Sequence, residues 1–94
     1  MPLYCYVGRD GSEGRARRPG ARPRHLSHLE RLDVRFAGPL LDADGAPCGS
    51  LIVFEAASFA EASRLANADP YLEAGVFERV EVFETKQVLP AGAP

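Results

Sequence analysis

At 94 residues, 46% hydrophobic and 26% charged, the chain has the size and balance of one small soluble domain. No apolar run approaches the ~18 residues of a membrane helix. Apolar Met1–Val7 is too short for a secretory signal and two cysteines are too few for a disulfide-built secreted domain, so cytoplasmic residence is expected. The net charge of −2 hides six arginines against Asp10 and Glu13 between residues 9 and 24. Such a local positive field favours small anions; the acidic remainder, and arginines without interleaved aromatics, argue against nucleic acid.

Leu3–Val7, rich in aromatic and β-branched residues, predicts the first strand. Gly8, Gly11, Gly14, Pro19 and Gly20 predict a loop over 8–21, with a glycine spacing that fits no phosphate fingerprint. The first helix is predicted from Pro23 to Asp33, with Pro23 at its first position. Leu26, Leu29 and Leu32 make its apolar stripe. His25 falls inside that arc, near the helix N-terminus, and His28 falls on its edge, facing solvent.

Val34–Leu41 is the second strand, interrupted at Gly38-Pro39. Asp42-Ala43-Asp44-Gly45 is a hairpin turn, lacking the acidic positions of a calcium loop. Gly49–Glu55 is a buried strand. Ser58 caps a second helix, with Glu61 completing a capping box; Phe59, Ala62, Leu65 and Ala66 form its inner face. Proline restricts the residue before it, so this helix ends by Asp69-Pro70. Tyr71–Gly75 is a turn or short helical segment, Val76–Val88 the last strand, and 89–94 a flexible tail after a domain of residues 1–88.

The order β-α-β-β-α-β predicts an α+β, ferredoxin-like fold: an antiparallel four-stranded sheet with two helices on one face. The other face must then draw apolar residues from among Tyr4, Tyr6, Ile52, Phe54, Phe77 and Phe83. An exposed apolar sheet face marks an interface, and so small a domain buries only about 60–65% of its unfolded surface alone. A homodimer packed sheet to sheet is expected.

Several pieces in this order resemble the YCII-related family. They are Arg22-x-x-His25-Leu26, Ala37-Gly38-Pro39, Gly49-Ser50, Ala68-Asp69-Pro70-Tyr71 and Ala74-Gly75-Val76. The resemblance implies the dimeric α+β-barrel version of the fold and a site built on His25 and Asp69, with Arg22 beside them. No cofactor motif is present in the sequence, so no cofactor is expected. A few relatives are implicated in eliminating chloride from hydroxylated rings. The loop before Gly49 is shorter here and the first loop richer in Gly and Arg, so a relative's substrate does not carry over.

A histidine with a carboxylate partner is a plausible general base, because the carboxylate fixes the tautomer and stabilises the imidazolium. The alternative is a core histidine bonded to a backbone carbonyl. Asp69 is either that partner or a turn residue before proline. Arg22 orients an anion or is solvated; Ser50 and Tyr71 line a pocket or pack; Gly38 and Gly49, with Pro39, admit a ligand to the backbone or serve a bulge and a turn. His25 and His28 lack a third ligand at a recognised spacing, so no metal is expected. Two functions follow. One is a cofactor-independent lyase or isomerase acting on a small anionic or phenolic molecule; the other is a non-catalytic binding or interaction module on the same fold.

Overall fold

In the computed structural model, which describes residues 1–91, strand β1 (Leu3–Asp10) lies inside an antiparallel four-stranded sheet ordered β2-β3-β1-β4. The other strands are β2 (Asp33–Leu41), β3 (Pro47–Glu55) and β4 (Phe77–Thr85). The helices are α1 (Gly14–Glu30), α2 (Phe59–Asn67) and the one-turn α3 (Pro70–Glu73). β3 separates β1 from β2, and β1 separates β3 from β4, so each helical crossover spans an inserted antiparallel strand. That is the predicted ferredoxin-like arrangement. No described helix is long and apolar enough to cross a membrane.

Strand alternation sorts the side chains. Tyr4, Tyr6, Ile52 and Phe54 point under the helices and form the main core with Ala56, Ala62 and Ala66. Each large member stabilises the fold by about 1.5–3 kcal/mol through burial. A second cluster of Ala21, Tyr71, Val76 and Phe77 fills the junction of α1, α3 and β4. Cys5, Val7, Leu51 and Val53 point the other way, in register with Phe36 and Phe83, which are 59% and 51% exposed. Of the aromatics nominated for the open face, only Phe83 lies on it.

The predicted loop over 8–21 is largely regular structure. β1 continues through Gly8, where a Cβ would come within 2.3 Å of the Phe77 ring. The Gly14 N–H donates to the Gly11 carbonyl at 3.0 Å, and α1 starts there, with Pro19 and Pro23 inside it. Interior prolines each remove a helix hydrogen bond. The carbonyls released here belong to Arg15 and Pro19, both exposed residues whose carbonyls water can serve. His25 is therefore well inside α1, beyond the first turn where the helix dipole acts.

Elsewhere the differences are smaller. Gly38-Pro39 does not interrupt β2; as an edge strand it tolerates proline, and its register slips fall at Val34/Phe36 and Leu40/Leu41. The hairpin is built as predicted, with Asp42 Oδ1 accepting the Asp44 and Ala46 N–H groups and Gly45 at φ +80°. Ser58 Oγ accepts the Glu61 N–H, while the Glu61 carboxylate turns to Arg64. β4 stops at Thr85, and the predicted tail extends past the described residues at 92–94. Cys5 and Cys48 are free thiols.

Candidate active site

Asp69 sits between α2 and α3. Its backbone is extended, as the following Pro70 demands, and its side chain caps α3 by accepting the Tyr71 N–H at 2.9 Å. The same oxygen, Oδ1, lies 2.8 Å from His25 Nδ1, and Oδ2 accepts the Tyr6 hydroxyl at 2.8 Å. At 1% exposure the carboxylate depends on these donors for the bonds it would otherwise make to water. Burial first, then the Asp69 charge and hydrogen bond, hold the Tyr6 phenol proton far above its ordinary range.

Two aromatic rings pack against His25. Its ring stacks on Tyr71 at 3.8 Å and 4°, and meets the edge of Phe77 at 6.4 Å. A carboxylate only accepts, so the shared proton sits on Nδ1 and the neutral ring carries its lone pair on Nε2. No described residue bonds to Nε2, and among the described residues every fully buried polar side-chain atom has a partner, which leaves Nε2 facing solvent. His28, expected in solvent, is 9% exposed and donates from Nε2 to the Leu65 carbonyl at 2.9 Å. It ties α1 to α2, which the periodicity of α1 alone could not reveal.

A second charged group was missed by the sequence. Arg18 Nε and Nη2 donate to the two Asp10 oxygens at 2.7 and 2.8 Å. Nη2 also reaches the Gly49 carbonyl at 2.9 Å and Ser50 Oγ at 3.3 Å. The pair is shielded, with side chains 13% and 7% exposed. Two local features build it. A register slip at Arg9/Asp10 re-aims Asp10, and Gly14 lets α1 approach, since a Cβ there would lie 2.7 Å from Asp10 Cβ. Burial works against the Arg18 charge, but the Asp10 carboxylate overrides it and the guanidinium is held more firmly protonated.

Arg18, Arg22, His25 and Leu29 recur at i, i+4, i+7 and i+11 along one face of α1, and all four line a cavity of about 660 Å³. Ala37, Gly38 and Pro39 of β2, Ser50 and Ile52 of β3, and Tyr71 complete the wall. Six of the eight residues nominated from sequence thus meet here: Arg22, His25, Gly38, Pro39, Ser50 and Tyr71. Asp69 stands behind His25. Gly49 is not part of the wall; its carbonyl serves Arg18, and a Cβ on it would lie 2.6 Å from the Gly8 carbonyl. Leu26 also lines the cavity and is 40% exposed, instead of entering the core. Burial pushes the Tyr71 phenol up, while the nearby Arg18 and Arg22 charges pull it partly back. Among the described residues no group of three or more His, Cys, Asp and Glu is arranged for a metal.

This sheet and its helices define the fold of the dimeric α+β-barrel proteins. A similar solved structure is the 5-chloro-2-hydroxyhydroquinone dehydrochlorinase of Burkholderia phenoliruptrix in complex with 2,5-dihydroxybenzoquinone. The TM-score is 0.80 at 28% identity, over 89% of this chain and 93% of that one. A NIPSNAP domain protein of Burkholderia xenovorans shares the fold alone, at TM-score 0.55 and 17% identity over 100% of this chain and 99% of that one. In sequence, residues 2–86 match the YCII-related domain. Protein YciI of Escherichia coli O6:H1 is 35% identical over 96 residues, covering 92% of this chain and 98% of that protein. The chain belongs to the YCII-related family.

Proposed function

We propose that the cavity is a cofactor-independent acid–base site in which His25 moves a proton on a small phenolic or otherwise anionic molecule. The observation that carries this reading is the 2.8 Å contact of His25 Nδ1 with buried Asp69, in a ring that also lines the cavity. Nε2 takes a proton from the ligand, and Asp69 stabilises the imidazolium that results. Such a positioned base contributes roughly 10²–10⁴-fold in rate. The proton then returns at a neighbouring atom, which is isomerisation. Where the carbon that receives the proton carries chlorine, loss of a second hydroxyl proton then lets the O–H electron pair form a carbonyl and expel chloride through the conjugated ring, which is elimination. The dehydrochlorinase likeness supports the second course.

The test is a panel of hydroxylated and chlorinated aromatic compounds, beginning with 5-chloro-2-hydroxyhydroquinone and followed by chloride release and absorbance. His25→Gln is expected to lower turnover at least 100-fold, within the range of a lost general base. Turnover unchanged by the substitution removes His25 from the mechanism. Compounds that raise the melting temperature of the wild type without being turned over favour a binding module.

The same reading places two copies together through the open sheet face of Phe36, Leu51, Val53 and Phe83, whose exposed aromatics support it. Light scattering at micromolar concentration is expected to give twice the 10.2 kDa chain mass, and the monomer mass would sink the idea. Cytoplasmic residence belongs to this proposal too, supported by two thiols that remain unpaired.

A further inference from the structure

Two guanidiniums face the cavity, and they are held differently. Arg22 is exposed, with no hydrogen-bond or ion-pair partner among the described residues. Arg18 is clamped along one edge by Asp10, the Gly49 carbonyl and Ser50. That clamp uses Nε and Nη2, and the guanidinium also bears on the Tyr71 side chain. Arg18 also lines the cavity, so the clamped guanidinium borders the space a ligand would enter. A guanidinium fixed in place loses little side-chain entropy when it takes an anion, whereas exposed Arg22 must first be ordered.

Position along α1 adds a second constraint. Arg18 and His25 sit against the same Tyr71 ring, at 5.1 and 3.8 Å from its centroid. Both residues also line the same cavity. A ligand oxygen at the Arg18 end would meet a fixed positive charge, and a proton at the other end would meet His25 Nε2.

We infer that Arg18, rather than Arg22, is the residue that binds the ligand's oxyanion, and that the cavity selects phenolates and enolates over their neutral acids. This rests on the acid–base reading of the same cavity, but it is tested by binding alone. Because Arg18 stays charged across the working pH range, it stabilises an oxyanion without exchanging a proton with it.

The probe is 4-nitrophenol, whose visible absorbance reports its own ionisation. In the wild type the bound dye is expected to titrate about one pH unit below the free dye, as an adjacent positive charge dictates. R18Q should abolish the shift, R18K should keep part of it, and R22Q most of it. R18Q strands the Asp10 carboxylate, so D10N/R18Q is measured beside it; a folded double variant should also lack the shift. A shift that survives in either variant, a shift lost only in R22Q, or a wild type that does not bind the dye overturns the inference. His25→Gln should keep the shift, so a failure of proton transfer and a failure of oxyanion binding give different results.

Discussion

Two carboxylates, buried Asp69 and half-buried Asp10, anchor α1 two turns apart, and they hold different bases. Asp69 holds the imidazole of His25; Asp10 holds the guanidinium of Arg18. Asp69 gathers donors from three elements, β1, α1 and α3, and its partner is an imidazole, a ring with one nitrogen that can accept a proton. Asp10 is bonded by one side chain, and that side chain never gives up its proton. The same acid thus serves two ends: at one a proton can move, at the other a charge stays fixed. The identity of the base, and not the carboxylate, decides which end does what.

The largest effect should come from cutting the two carboxylates and comparing the losses. Asp69→Ala leaves His25 Nδ1, the Tyr6 hydroxyl and the Tyr71 N–H unpartnered in a dry interior. It should lower stability by about 3–4 kcal/mol in urea unfolding. Asp10→Ala should lower it by about 2 kcal/mol, because Arg18 keeps the Gly49 carbonyl and Ser50 and reaches solvent. Equal losses would erase the difference in connectivity between the two ends.

A smaller and more specific effect isolates one donor. Tyr6→Phe removes only the hydrogen bond to Asp69 Oδ2 and should cost about 1.5 kcal/mol, the range for a bond to a charged group. It should also alter the alkaline limb of stability. The Tyr6 phenol is held protonated in the folded chain, by burial first and Asp69 second. The unfolded chain gives up that proton near pH ~10. Stability from this group is therefore constant below that pH and falls as pH rises beyond it. Urea midpoints measured between about pH 8 and 11 should decline less steeply in Tyr6→Phe than in the wild type; parallel declines would mean that Tyr6 does not keep its proton.

The order of elements was legible because it rests on local signals. Strand β3 is a continuous apolar run, Ser58 carries its own cap, and Asp42 to Gly45 encode their turn. The start of α1 was not, because Gly14, Pro19 and Gly20 are the residues that usually break helices. Gly14 is there for the approach to Asp10, a contact between elements that no local pattern records. Moving the helix start to Gly14 would have brought Arg18 into line with Arg22 and His25, so the spacing was present but hidden by the prolines. His25 and Asp69 were nominated through family resemblance, since 44 residues separate them and only the fold closes the gap to 2.8 Å. The bond from Tyr6 to Asp69 is not legible in the sequence, because nothing in a strand pattern distinguishes a tyrosine that bonds from one that packs.

The nitrogen resonances of His25 test the acid–base claim most directly. Long-range proton–nitrogen correlation spectra at about pH 8, where a histidine is ordinarily neutral, distinguish the two tautomers. With Asp69 accepting from the ring, His25 should carry its proton on Nδ1 and leave Nε2 bare toward the cavity. Asp69→Ala should lose that preference. A wild-type ring protonated on Nε2 would leave no base facing the cavity and would contradict the proposed role of His25.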